Sequence, residues 1–147
     1  MKKINLASIL ILVTLFAAAC GPTMTPIPPV FQGDNPYASQ PADKDMQRDD
    51  ITIDSSSLNL TQSIPPTVAL SFAYFQPTPC HQLRVEVSGP DSQNQIKVTA
   101  YSVAEKDKAC ALMALATPLK ASLNLGSFPS GHYSLLLNGT VVGEFDS

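Results

Sequence analysis

His81 and His132 are the two histidines of this 147-residue chain, and Cys20, Cys80 and Cys110 are its three cysteines. These side chains bound the chemistry open to it. A histidine acting as general base needs a hydroxyl and an acid held beside it. Serines are plentiful, but no G-x-S-x-G turn marks one of them as a nucleophile. Each histidine lies next to an expected strand end, so a turn or surface role is expected for both. The paired acids Asp49 and Asp50 fall in a stretch that reads as linker, too mobile for a fixed site. Glu105 and Asp107 alternate with Lys106 and Lys108, which is the pattern of a solvated charged face. Cys80, His81, Cys110 and His132 make a poor metal set. Adjacent Cys80 and His81 cannot easily reach one ion together, and neither CxxC nor HxxxH spacing occurs. There is no Gly-rich phosphate loop and no EF-hand spacing. No catalytic residue, metal or cofactor is therefore expected. Asn59-Leu60-Thr61 and Asn138-Gly139-Thr140 match the N-glycosylation pattern, but a turn at Asn138 is the simpler account of the second.

The first twenty residues carry a different kind of chemistry. Met1-Lys2-Lys3 is a positive start, and Ile4 to Phe16 is an apolar run broken only by Asn5, Ser8 and Thr14. That run is too short to span a bilayer, which takes about 20 apolar residues. Ala17-Ala18-Ala19 follow, then Cys20-Gly21. This is the order of a secretory signal peptide. Leu15 to Cys20 resembles the lipobox of bacterial lipoproteins, with Ala17 where the pattern prefers Leu. The resemblance implies that residues 1–19 are removed and that the Cys20 thiol carries diacylglycerol, with acylation of its amine as well. Two or three acyl chains hold a protein on a membrane stably. Gly21 is not the Asp that retains such lipoproteins at an inner membrane. The outer membrane is thus expected where the organism has one, and otherwise the outer face of the cell membrane.

Without its leader the chain carries seven Lys and Arg against twelve Asp and Glu, a formal charge of −5. Nothing clusters the cations, so nucleic acid is not an expected partner. Six of the thirteen prolines lie between Gly21 and Asp50, and the end of that stretch is acidic. Proline favours extended backbone and removes donors. Residues 20–50 therefore read as the lipidated Cys and a solvated, disordered tether, with a domain over 51–147. Fully stretched, the tether would reach roughly 100 Å. Pro26-Ile27-Pro28-Pro29 also fits a polyproline ligand, although a spacer is the plainer reading.

From residue 51 the texture is period-two alternation. Val68, Leu70, Phe72 and Tyr74 form one apolar set; others are Leu83, Val85 and Val87, then Ile96, Val98 and Ala100, then Leu119 to Leu125. This is the signature of half-buried strands. Gln76–Pro79, Gly89–Ser92 and Pro129–Gly131 supply turns. Asn138-Gly139 between two apolar runs is a strong two-residue hairpin signal. A weaker first strand is expected at 51–53 or 57–61. Ala104 to Ala116 fits either a short helix or a loop with a bulged strand.

Gly131-His132-Tyr133 resembles the tyrosine corner of immunoglobulin-like domains, in which the hydroxyl reaches back to nearby backbone. The ending from Leu125 to Gly139 resembles the last hairpin of small immunoglobulin-like domains of secreted bacterial proteins. The expected fold is an all-β, immunoglobulin-like antiparallel sandwich of six to seven short strands. Outside the cytoplasm an isolated cysteine pair implies a disulfide, here Cys80–Cys110. The resulting expectation is a monomeric, non-enzymatic envelope module, bound to the membrane through Cys20 and presenting the sandwich to a protein or glycan. The rival expectation is a small secreted hydrolase using His81 or His132, or a hydrolase inhibitor presenting Gln76–Cys80.

Overall fold

A computed structural model describes residues 33–110 and 117–147. The leader, Cys20, the proline-rich run around Pro26–Pro29 and residues 111–116 lie outside the described residues. Eight strands form two facing sheets: β1 (Met46–Asp50), β2 (Thr52–Leu60), β3 (Val68–Phe75), β4 (Gln82–Ser88), β5 (Gln95–Glu105), β6 (Leu119–Gly126), β7 (His132–Leu137) and β8 (Thr140–Asp146). β2, β3 and β6 make a three-stranded sheet, and the other five make the second. The expected β-sandwich is the observed one.

The alternation fixes which side of each strand faces inward. On β3 the core-facing set is Val68, Leu70, Phe72 and Tyr74, while on β5 it is Ile96, Val98 and Ala100. With Leu123, Leu125, Leu135, Leu137 and Phe145 they form one core between the sheets. Each Val, Leu, Ile and Phe among them contributes roughly 1.5–3 kcal/mol through apolar area removed from water. At the open flank Leu58 of β2 lies against β8. A Cβ at Gly143 would stand 3.2 Å from its Cδ2, so the absent side chain lets the two sheets close there.

β5 organises the larger sheet. Its register with β4 runs from Lys97 to Val103. On the opposite edge it pairs first with β7, over Gln95–Val98, and then with β1, over Tyr101–Glu105. The β5–β7 pairing is parallel, a departure from an all-antiparallel sandwich. The chain leaves β5 for the other sheet, runs back along β6, and re-enters beside β5 as β7. Two reversals leave β7 parallel to β5, the outcome a crossover connection permits.

The domain also begins earlier than residue 51. A 3-10 turn at Pro41–Asp45 leads into β1, and Asp49 and Asp50 are strand residues opposite Ser102 and Tyr101. The polar sequence of this stretch disguised it. β1 lies at a sheet edge and exposes most of its side chains, so no apolar alternation is required of it. Before it, Val85 N–H donates to Tyr37 O at 2.8 Å and Asn35 Nδ2 donates to Val85 O at 2.8 Å. Residues 35–50 thus form a belt that starts on the free edge of β4 and ends beside β5.

Ser88 closes β4, and the turn that follows is held by Asp91. Its carboxylate accepts from the Gln93 and Gln95 backbone amides and from Lys97 Nζ. At the segment from 104, β5 continues to Glu105 and Lys106–Cys110 are not helical. The rest of that Ala-rich run lies outside the described residues.

Candidate functional site

Cys80 and Cys110 are joined, with Cα atoms 6.0 Å apart, inside the usual range for a disulfide. The bond ties the turn after β3 to the chain beyond β5. Beside it is a cleft of about 340 Å³ lined in part by Gln47, Asp49, Thr78, His81, Glu105 and Lys108.

His81 forms the floor of this cleft, with only 9% of its side chain exposed. Its Nδ1 lies 2.8 Å from Thr78 Oγ1, and its Nε2 lies 3.1 Å from Asp49 Oδ2. Thr78 Oγ1 also accepts the Cys80 backbone N–H at 3.3 Å. With the proton on Nε2, the ring donates to Asp49 and Nδ1 accepts from the Thr78 hydroxyl. Gln47 Nε2 donates to the other Asp49 oxygen at 3.0 Å. That bond, and then His81, hold the Asp49 carboxyl below its ordinary value of 3.8. Ser102, fully buried, donates to the Asp49 carbonyl.

A hydroxyl, an imidazole and a carboxylate in line are the elements of a nucleophilic relay. Here the hydroxyl is enclosed. Thr78 is 8% exposed, and its oxygen already accepts a backbone amide. The arrangement fixes His81 between the 78–81 turn and β1, so it works as a clasp on the belt. His81 was expected at a turn and is found at one. Its buried side chain and its bond to Asp49 were not expected, since they join residues 32 apart.

A second cluster lies on the outer side of β4 and β5. Arg84 has 6% of its side chain exposed and Asp43 has 10%. Arg84 Nε and Nη2 donate to the two Asp43 oxygens at 2.7 and 3.0 Å, and the guanidinium also reaches Leu83 O and Gln82 Oε1. This two-pronged geometry is the strong form of a charged hydrogen bond. The Arg84 guanidinium, and then the Gln40 backbone N–H, hold the Asp43 carboxyl below its ordinary value. Next to it, the Arg48 guanidinium stacks 3.5 Å from the Tyr101 ring centroid, and Tyr101 Oη donates to Glu86 at 2.7 Å. Burial, and then Glu86, raise the Tyr101 hydroxyl above 10.

The remaining expected residues lie at the C-terminal hairpin. Tyr133 Oη donates to Pro129 O at 2.9 Å, four residues upstream. The Tyr133 ring packs with Phe128 and Phe145 at centroid distances of 5.4 Å each. Gly131 and Ser147 exchange two backbone bonds of 3.0 Å. Asn138 and Gly139, at φ 48° and 82°, form the two-residue turn between β7 and β8, the backbone a type I′ turn demands. His132 is exposed and lies 2.8 Å from Asp146 and 3.5 Å from Glu144. Hydrogen bonding to Asp146 raises its pKa above 6.5. His132 therefore has partners of its own and does not join Cys80, His81 and Cys110. Among the described residues no group of three or more His, Cys, Asp or Glu is placed to hold a metal ion.

Sequence reasoning missed Asn35, Tyr37, Asp43, Asp49 and Arg84. Nothing in the sequence singled out Arg84, which falls at a polar position of the β4 alternation together with Gln82 and Glu86.

No curated protein and no solved structure matches the chain. The family model for the ORF11 beta-sandwich domain matches residues 72–147, from within β3 to the C-terminus and just over half of the chain. With the two-sheet architecture, that match places the chain in the ORF11 beta-sandwich domain family.

Proposed function

We propose that the protein is an exported lipoprotein and that its sandwich serves the cell envelope as a non-enzymatic binding or structural module. Residues 1–19 direct export, and lipid on Cys20 holds the mature chain on the membrane. The observation that carries this reading is the order Lys2-Lys3, apolar run, Ala17-Ala18-Ala19 and Cys20-Gly21. A disulfide between the other two cysteines agrees with an oxidising compartment. No helix among the described residues is long and apolar enough to cross a membrane. The immunoglobulin-like character of the C-terminal half is supported by the Tyr133–Pro129 bond. Free strand edges at β2 and β8, with Leu60 and Val141 exposed, suit strand addition by a protein partner. Fractionation tests the anchor. The native chain belongs in the membrane fraction and Cys20→Ser in the soluble one. Equal soluble recovery of both contradicts the reading.

The Thr78–His81–Asp49 alignment favours a second reading, a small hydrolase with His81 as base. It requires turnover of an ester or peptide probe that is lost in His81→Gln while the fold and the disulfide persist. Activity unchanged by His81→Gln eliminates it.

A further inference from the structure

β2 lies at the edge of the three-stranded sheet, with β3 as its neighbour. Thr61 N–H donates to Thr67 O at 3.0 Å, one step beyond the register that sets Leu60 opposite Val68 and Asn59 opposite Ala69. Antiparallel pairs alternate between those that exchange both backbone bonds and those that exchange none. Ser55, Ser57 and Asn59 therefore turn their N–H and C=O toward β3, and Ser56, Leu58 and Leu60 turn theirs away from it. The outward backbone groups of these three meet no hydrogen-bond partner among the described residues. Natural sheets blunt such an edge with charges, prolines or bulges. The register shift between Ile53 and Ser55 and the charge of Asp54 blunt the first part of β2. From Ser55 to Leu60 there is neither a charge nor a proline. β8, by contrast, has a register shift in its pairing with β7 and carries Glu144 and Asp146.

The open groups are symmetric about Leu58, and that symmetry points to the occupant. In a two-fold contact between identical edges, each residue meets itself or its mate. A charge there would face a like charge, and this edge has none. With the axis at Leu58, its N–H and C=O bond to the partner's Leu58, and Ser56 and Leu60 bond to the partner's Leu60 and the partner's Ser56. Every outward group from Ser56 to Leu60 is then engaged. An axis at Ser57 would instead set Leu60 against the partner's Asp54, at the bulge. Leu60, exposed in the single chain, gains the partner's Leu58 as a diagonal neighbour. Ser57 comes opposite the partner's Asn59, which extends the cross-strand row Ser57, Ser71 and Ser122. We infer that β2 pairs antiparallel with the partner's β2 across a two-fold axis at Leu58, joining two sandwiches through one continuous sheet. The partner is a second copy of this chain. The inference rests on the strand-addition reading of this edge and is independent of lipid at Cys20.

The test uses the full-length chain extracted in detergent. The native chain should sediment as two copies and Ser56→Pro as one. The proline removes a donor from the outward edge and leaves the bonds to β3 in place. Two differently tagged copies produced together, one Ser57→Cys and the other Asn59→Cys, read the register. Those positions form a non-bonded pair with Cα atoms about 4.5 Å apart, so mild oxidation should join the copies through them. Cys80 and Cys110 that resist alkylation until reduction establish that a variant is folded. A native chain that sediments as one copy overturns the inference, as does a folded Ser56→Pro chain that stays paired. So does the absence of the 57–59 link in the mixed copies. One copy with an unrelated protein joined at position 57 also overturns it, but refutes only the choice of partner and keeps strand addition.

Discussion

Asn138 completes the sheet at Ala100. Its Nδ2 donates to Ala100 O at 2.9 Å, and the Ala100 N–H donates to its Oδ1 at 2.7 Å. Ala100 is where β5 changes partners, since the pairing with β7 ends at Val98 and that with β1 begins at Tyr101. No strand reaches the backbone of Ala100 on that edge. The side-chain amide supplies the missing donor and acceptor, as an opposed strand residue would. The same residue holds φ at 48° in the hairpin turn. The choice of Asn over Gly or Asp at this turn thus comes from the sheet it abuts.

Asn138→Asp should therefore be worse than turn chemistry alone suggests. Aspartate tolerates the turn but cannot donate to Ala100 O, leaving a buried acceptor unpaired at about 1–3 kcal/mol. Asn138→Gly keeps the backbone conformation and loses both bonds, with a cost of about 1–2 kcal/mol. Urea unfolding of both variants checks this. Stability equal to the native chain in both would show that water replaces the amide at no cost.

Asp43→Ala should loosen the belt without unfolding the core. The variant leaves the Arg84 guanidinium without its carboxylate and removes the acceptor that caps Gln40. Amide exchange should quicken at Val85 and across Tyr101–Glu105, while Leu70, Ile96 and Leu135 keep native protection. Uniform loss of protection would mean that the belt is part of the cooperative core.

The hairpin, the alternating strands and the Cys80–Cys110 pair were legible because each is written locally. Asn-Gly demands a particular turn, and Ile96, Val98 and Ala100 must face one side. The belt was not legible. Its prolines and acids look like tether, and what orders them lies far away in sequence: Val85 for Tyr37, Arg84 for Asp43, His81 for Asp49. The parallel run of β7 beside β5 is also a consequence of long-range topology. The clasp at His81 was half legible, since Thr78 and His81 are close in sequence while Asp49 sits in a stretch whose polarity hides a strand.

Acid should weaken the fold in a defined window. Lys97, and then the amides of Gln95 and Gln93, lower the Asp91 carboxyl to about 2, and Asp43 and Asp49 are lowered as well. A group depressed in the folded state contributes stability that is fully present above its unfolded value. For these three the contribution is present above 3.8 and is lost as pH falls through the folded values, toward about 2 for Asp91. Asp91→Asn should flatten the lower part of the stability profile. An unchanged profile between pH 4 and pH 2, on the scale set by those values, would contradict the assignment.

Reduction should cost the domain a large part of its stability. The bridge closes a loop with a sequence separation of 30, worth about 3.5 kcal/mol by loop entropy. That compares with about 5–15 kcal/mol for a whole domain. The midpoint of urea unfolding should fall accordingly in the Cys80→Ala, Cys110→Ala double variant, and no change would remove the bridge from the account of stability.

The central claim is export with lipid on Cys20 and an oxidised Cys80–Cys110 pair. Intact mass of the membrane-extracted protein, alkylated before and after reduction, tests it most directly. The account predicts a chain starting at Cys20, heavier by diacylglycerol at least, with two cysteines that take up label only after reduction. A chain without lipid, or one with both cysteines labelled before reduction, would contradict it.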